Sequence, residues 1–305
     1  MFSVARLCPR RRPAPALRPP ARDPAAGDLR IRWLGTAGVV LRTPGTTLLV
    51  DPFVSRPSLL EALARPLVPD LESIRAHVPA RVDGIACGHG HYDHLLDAPM
   101  IAQLTGATLA GSRAVCNVGR AARLPADRLV EIAPSGGAWR VGDFEVRFVR
   151  SRHGLLAGRV PHPGDIVAPP RLPARWFEYR LGDPFGILVR GAGVTVYHNG
   201  SANLVDEELR GLQADVLLLT LALSDATPRY VERLVGLLSP KVVVPIHWDS
   251  FFSPLEDGVR RLPWIDVDAF AAEVRAVAPD ATIVEPDYDR ELIVPAEDPR
   301  GAGVA

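Results

Sequence analysis

The sequence predicts an α+β chain in which two β-sheets pack face to face with helices outside. Three observations carry that prediction. Short apolar runs come first: "IRWLG", "AGVVLRT" and "TTLLVDPF" are separated by Gly, Thr and Pro, as in a strand meander. Helical and strand patterns alternate in the last third. The same meander-then-helix rhythm runs through both halves, which suits two sheets with helices layered on them.

The elements follow in order. After the meander, residues 58 to 77 read as helix interrupted by Pro66 and Pro69. "VDGIAC" is a short buried-type strand, and "DAPMIAQLTG" a helix ended by Gly106. A strand near 107–110 and a helix near 112–122 come next, then strands in "RLVEIA", "GAWRVG" and "FEVRFVRSRH". Residues 154–175 form a long Pro- and Gly-rich loop, a length that in a compact domain is often functional. "RWFEYRLG", "GILVRG" and "VTVYHNG" read as strands. The chain then alternates: helix 203–211, strand "DVLLLTLA", helix 228–238, strand "KVVVPIH", helix 266–277 and strand "ATIVEP".

Composition narrows the function. Of 305 residues, 47% are hydrophobic, enough for a sizeable core. Lys plus Arg equals Asp plus Glu at 35 each, so no basic excess suggests a nucleic-acid partner. Cys8, Cys87 and Cys116 are too sparse for a disulfide framework, which points to a reduced, cytoplasmic setting. No apolar run reaches the ~18 residues of a membrane span. Residues 1–28 are rich in Arg, Pro and Ala and read as a disordered tail. Residues 29–295 form the expected catalytic domain, and 296–305 a flexible C-terminal tail.

The chemistry lies in "GHGHYDHLL", residues 88–96, where three of eight histidines crowd together. Residues two apart in an extended segment point the same way, so His89 and His91 can converge on one ion. Asp93 and His94 face a neighbouring point. Three imidazoles this close repel when protonated unless an ion holds them neutral. Further ligands are expected from strand ends elsewhere. His153 closes "FEVRFVRSRH" and His247 closes "KVVVPIH".

"HGHYDH" resembles the HxHxDH signature of the metallo-β-lactamase superfamily, and the likeness extends from about residue 30 to 290 through "LLVDPF" with Asp51 and "PIHWDSF". The likeness is closer to the group containing L-ascorbate-6-phosphate lactonase and N-acylphosphatidylethanolamine phospholipase D. It implies an αββα four-layer sandwich with the metal site at one edge of the sheets. It implies that His89, His91 and His153 hold a first ion, and Asp93, His94 and His247 a second. One position departs from the pattern. Aligning "VYHNGSAN" on Gly200 puts Ser201 where many relatives carry an Asp bridging the two ions. A neutral hydroxyl leaves the repulsion between two cations less compensated, so one ion or two remain open, with His198 and Asn199 as substitutes.

The all-N/O donor set favours Zn²⁺ and leaves Mn²⁺ or iron open. The implied activity is a hydrolase using a metal-bound hydroxide on a small ester, lactone or phosphodiester, with Asp93 handling the water proton. A non-hydrolytic metal-binding sensor with an impaired second site is the rival, on the strength of Ser201. Arg171, Arg175 and His162, in or beside the long loop, are candidate contacts to a small-molecule substrate. Phe251 and Phe252 are candidates for an aromatic pocket edge. Asp249 reads equally as an orienter of His247 or a surface carboxylate.

Overall fold

The computed structural model describes residues 27–288, 290–296 and 298–304. The expected tail 1–28 lies outside these except for its last two residues. The first sheet takes β1 (Leu29–Gly35), β2 (Gly38–Arg42), β3 (Thr47–Val50), β4 (Gly84–Ala86), β5 (Thr108–Gly111) and β6 (Leu129–Glu131). The second takes β7 (Gly137–Val141), β8 (Phe144–Arg150), β9 (Phe185–Gly191), β10 (Val194–Asn199), β11 (Val216–Thr220), β12 (Val242–Ile246) and β13 (Thr282–Ile283). The chain then returns to the first sheet as β14 (Glu291–Val294) and β15 (Gly303–Val304). Each sheet is half antiparallel and half parallel: β3 to β6 run parallel in one, β10 to β13 in the other.

Helices flank the sheets: α1 (Leu59–Ala64), α2 (Leu71–His77), α3 (Tyr92–Leu95), α4 (Ala98–Thr105), α5 (Arg113–Ala121), α6 (Asp206–Leu209), α7 (Tyr230–Leu238) and α8 (Val267–Val277). One continuous core joins Leu41, Ile85 and Leu109 of the first sheet to Val146, Ile187 and Leu218 of the second. It also takes in Ile101 and Val118 from α4 and α5, and Leu234 and Val274 from α7 and α8. At the sheet interface Gly84 leaves room for Trp139, since a Cβ there would sit 2.5 Å from the indole. The four-layer sandwich expected from the sequence is the observed architecture.

Three local expectations are corrected. "RWFEYRLG" is not a strand: Trp176–Glu178 is a single 3₁₀ turn. Its neighbours bond back to the long loop, Leu181 N–H to His162 O at 3.0 Å and Gly182 N–H to Gly164 O at 2.9 Å, so this backbone needs no ladder. The stretch from 296 is not a free tail, because Ile293 pairs with Gly303 and Leu292 with Val304. That hairpin extends the sheet beyond β1, whose open edge β14 covers from Leu29 to Arg32. His153 does not end a strand; β8 stops at Arg150 and His153 lies in the loop beyond.

Candidate metal centre

The site is assembled from loops that leave the carboxyl ends of strands. Asp51 follows β3, His89 and His91 follow β4, His153 follows β8, Ser201 follows β10 and His247 follows β12. Strands β8 and β10 are both antiparallel to β9, and β10 to β12 run parallel, so the second sheet delivers its three loops to one edge. The carboxyl edge of open α/β sheets is where loops converge on ligands. Gly90 serves a close approach rather than a left-handed turn, since a Cβ there would lie 2.2 Å from Arg180 O.

The ligating atoms of His89, His91 and His153 lie within 4.8 Å of one another, and so do those of Asp93, His94 and His247. The groups adjoin, with the His89 and His94 rings 3.9 Å apart between centroids. Backbone carbonyls only accept, so they fix two tautomers. His91 Nε2–H donates to Pro161 O at 3.0 Å, and His153 Nδ1–H donates to Gly154 O at 2.8 Å. The bare nitrogens, His91 Nδ1 and His153 Nε2, are left for the ion, and His89 Nε2 faces His91 Nδ1 at 3.1 Å. In the second group His247 Nε2 lies 3.4 Å from His94 Nε2 and 3.3 Å from Asp93 Oδ2. Behind it, His94 Nδ1 sits 2.8 Å from Asp51 Oδ2, with Asp51 fully buried at a φ of +47°.

The electrostatics suit cation binding. Burial holds the imidazoles of His89, His91 and His153 below the usual histidine range, His91 at about 3 and His153 at about 4. They are neutral at pH 7, as ligands must be. His94 goes the other way. Burial opposes its charge, but the carboxylates of Asp51 and Asp93 outweigh that and raise it to about 10. Burial also works against the Asp93 carboxylate, and the contacts to His94 and His247 overcome it and hold Asp93 well below its usual range. Two buried anions around one imidazole thus call for positive charge where the second ion is expected. On donor type and spacing both groups fit divalent ions; the first already has neutral imidazoles, and in the second an ion would take the place of the proton that Asp51 and Asp93 hold on His94.

Ser201 is buried at the cavity floor, its hydroxyl 3.3 Å from Ser151 Oγ. Of the two candidate substitutes for a bridging Asp, Asn199 is fully engaged, whereas His198 keeps a buried Nδ1 with no hydrogen-bond partner, 3.9 Å from Asp51 Oδ2. Asn199 accepts from Tyr230 O–H and Ala202 N–H and donates to Asn203 O, while His198 Nε2–H donates to Ala37 O at 2.7 Å. Asp93 is the only carboxylate in either group among the described residues.

A cavity of about 390 Å³ opens above the ligands. His162 lines it, its ring 4.5 Å from Trp176 and 6.0 Å from His91. Phe251 and Phe252 line it too, Phe251 against the His247 ring at 4.9 Å. Arg171 and Arg175 do not; both are exposed and away from the lining. Asp249 is no surface carboxylate, being fully buried in an ion pair with Arg56 at 3.0 Å. Sequence reasoning missed Arg56 and the walls from Leu59, Leu63 and Trp264. Their one signal was apolar side chains on a short Pro-bounded helix and in a Pro-Trp turn, which core packing explains equally well.

The pattern of the family described as "Beta-lactamase superfamily domain" matches residues 46–248, spanning the HxHxDH segment and His247. This chain belongs to the beta-lactamase superfamily domain family. Similar superfamily members include a UPF0173 metal-dependent hydrolase of Pyrobaculum arsenaticum, 30% identical, with 82% of this chain and 93% of the relative covered. Another is a UPF0173 metal-dependent hydrolase of Myxococcus xanthus, 28% identical, with 90% and 88% covered. The fold is shared with Igni18, a metallo hydrolase from Ignicoccus hospitalis, at a TM-score of 0.56, 18% identity and coverage of 87% and 98%. This beta-lactamase superfamily chain has the metallo-β-lactamase fold, and none of its described helices is long and apolar enough to cross a membrane.

Proposed function

We propose that this superfamily member is a metal-dependent hydrolase of a small ester, lactone or phosphodiester. The observation that carries the reading is the pair of adjoining ligand groups at the floor of one cavity, His89 and His94 in ring contact at 3.9 Å. Zn²⁺ suits donors that are all N and O, with Mn²⁺ and iron as alternatives. His89, His91 and His153 would hold the first ion; Asp93, His94 and His247 the second. The likeness to the ascorbate-6-phosphate lactonase and phospholipase D-like group is why lactones and phosphodiesters stand in the range.

A bound ion would supply a water of lowered pKa, near ~7, and polarise the substrate oxygen. The remaining work falls to the chain. Asp93, ionised beside His94 and His247, orients the attacking water and takes its proton. Pro161 and Gly154 carbonyls keep His91 and His153 in the productive tautomers. The apolar walls limit bulk water around the reacting atoms.

A metal-binding sensor is the second reading, favoured by Ser201 in place of a bridging carboxylate. The test is elemental analysis of the purified chain, then turnover of a generic phosphodiester and a lactone after stripping and adding back Zn²⁺ or Mn²⁺. The expected result is turnover that returns with metal and is lost in His89→Ala and Asp93→Asn. Bound metal with no turnover of either class would overturn the hydrolase in favour of the sensor.

A further inference from the structure

The apolar wall of the cavity continues outward onto the protein surface. Three separate segments carry it to the rim: α1, a turn at Leu156–Arg159 and a turn at Leu262–Ile265. Their Leu63, Leu156 and Trp264 all line the cavity, yet they are 52%, 60% and 74% exposed. Leu60, three before Leu63 and so on the same side of α1, is 68% exposed. Phe177 stands edge-on to Trp176 of the wall, 5.9 Å between ring centroids, and is 43% exposed. Both turns are closed by backbone alone. Leu156 N–H donates to Arg159 O at 2.8 Å and Arg159 N–H to Leu156 O at 3.1 Å. Ala157 and Gly158 between them have φ of +49° and +76°, as in the mirror-image turns of tight hairpins. Ile265 N–H closes the second turn on Leu262 O at 3.1 Å, with Pro263 and Trp264 at its tip. Turns in water ordinarily carry polar residues, so Leu156 and Trp264 stand against that preference. Apolar side chains gathered around one mouth mark an interaction surface rather than ordinary scatter.

Charge accompanies these apolar tips. Arg65 follows Leu63 by two residues, Arg159 closes the first turn and Arg175 precedes Trp176; all three are exposed. Arg159 and Arg175 have no ion pair among the described residues. The carboxylates of the same segments are taken up in helix caps: Glu61 with Ser58, Glu178 with the Arg175 N–H, and Asp266 with the first N–H groups of α8. We infer that this rim is a docking surface for an anionic lipid bilayer. Trp264, Leu156 and the exposed leucines of α1 enter the interfacial layer, and the arginines lie among the headgroups. A second copy of the chain is a poorer occupant. Pairing through the same face would set the Arg159 and Arg175 groups of two copies against one another. Three tips around an open cavity also leave no continuous patch for a stable dimer to bury. Docking requires neither the metal nor the hydrolase reading, and it would turn the cavity mouth towards the bilayer.

Co-sedimentation of the full chain with vesicles tests this. Phosphatidylcholine vesicles are compared with vesicles carrying about 30% phosphatidylserine, at low salt and at about 0.5 M salt. The chain is expected to partition onto the anionic vesicles at low salt and to come off as salt rises. Trp264→Asp and Leu63→Asp should each weaken partition about tenfold or more, and Arg159→Gln about fivefold. All three side chains are exposed, so urea midpoints should stay at the wild-type value. No partition, or equal partition onto both kinds of vesicle, overturns the inference. So does partition that neither aspartate substitution weakens, which would belong to another basic region such as the arginine-rich residues 1–26. A dimer in analytical ultracentrifugation that Trp264→Asp splits, without vesicle binding, would make the rim a self-interface instead.

Discussion

Arg56 and Asp249 form an ion pair at 3.0 Å with side chains 1% and 0% exposed, directly behind the loop that presents His247. Both partners are fully engaged. Arg56 donates to Ser250 O at 2.5 Å and Leu34 O at 3.2 Å. Asp249 accepts from Thr36 N–H at 2.7 Å and Tyr288 O–H at 2.6 Å. His247 itself is held at a φ of +59°. Removing one partner of a buried pair leaves the other charge unsolvated, at about 3–5 kcal/mol. Arg56→Ala is therefore expected to lower stability by about that amount in urea unfolding. It should also release metal from the second ligand group before the first.

Asp51 touches no ion in the assignment above, yet it stands 2.8 Å behind His94. A carboxylate in that place orients the ligand and makes it more basic. Asp51→Asn is expected to weaken metal at the second group by roughly 10- to 100-fold in competition with a chelator. The first group should keep its affinity.

Asp97 caps the turn after β3, accepting from Val54 N–H at 2.6 Å, Ser55 N–H at 2.9 Å and the Ser55 hydroxyl. Burial raises its carboxyl above the usual range in spite of these bonds. A folded-state pKa above the unfolded one gives stability that is full in acid and lost as pH rises through the folded value. Asp97→Asn keeps an acceptor for both backbone groups and removes the titration. Relative to wild type it should gain stability between pH 4.5 and pH 7.5, read from urea midpoints. Asp97→Ala should lose about 1–3 kcal/mol for each orphaned N–H at both pH values.

Ser201→Asp places a carboxylate where the superfamily's bridge is expected. Elemental analysis under limiting chelator should show more tightly held metal per chain than in wild type. Unchanged stoichiometry would mean that the side chain stays turned towards Ser151, 3.3 Å away, and the alignment of this strand would be wrong.

What could be read from the sequence was what is local in it. The HxHxDH cluster, the strand-end position of His247 and the helix stop at Gly106 each depend on a few adjacent residues. "RWFEYRLG" misled because its alternating polarity imitates a strand, while its backbone bonds go to His162 and Gly164 in the loop just before it. The Arg56–Asp249 pair joins positions that only the fold brings together. The cavity walls were hidden for another reason: Leu63 and Trp264 have side chains that core packing uses as readily as a substrate would. The closing hairpin of β14 and β15 is too short to stand out from the chain end.

His89, His91, Asp93 and His94 hang from the first sheet, His153 and His247 from the second. Each ion would therefore act as a rivet through the seam between the two layers. Stripping it should loosen the sandwich from that edge inward, and anything that prises the sheets apart should eject it. Holding metal and holding shape become one equilibrium, so the chain's thermal stability should follow free metal concentration logarithmically above the dissociation constant.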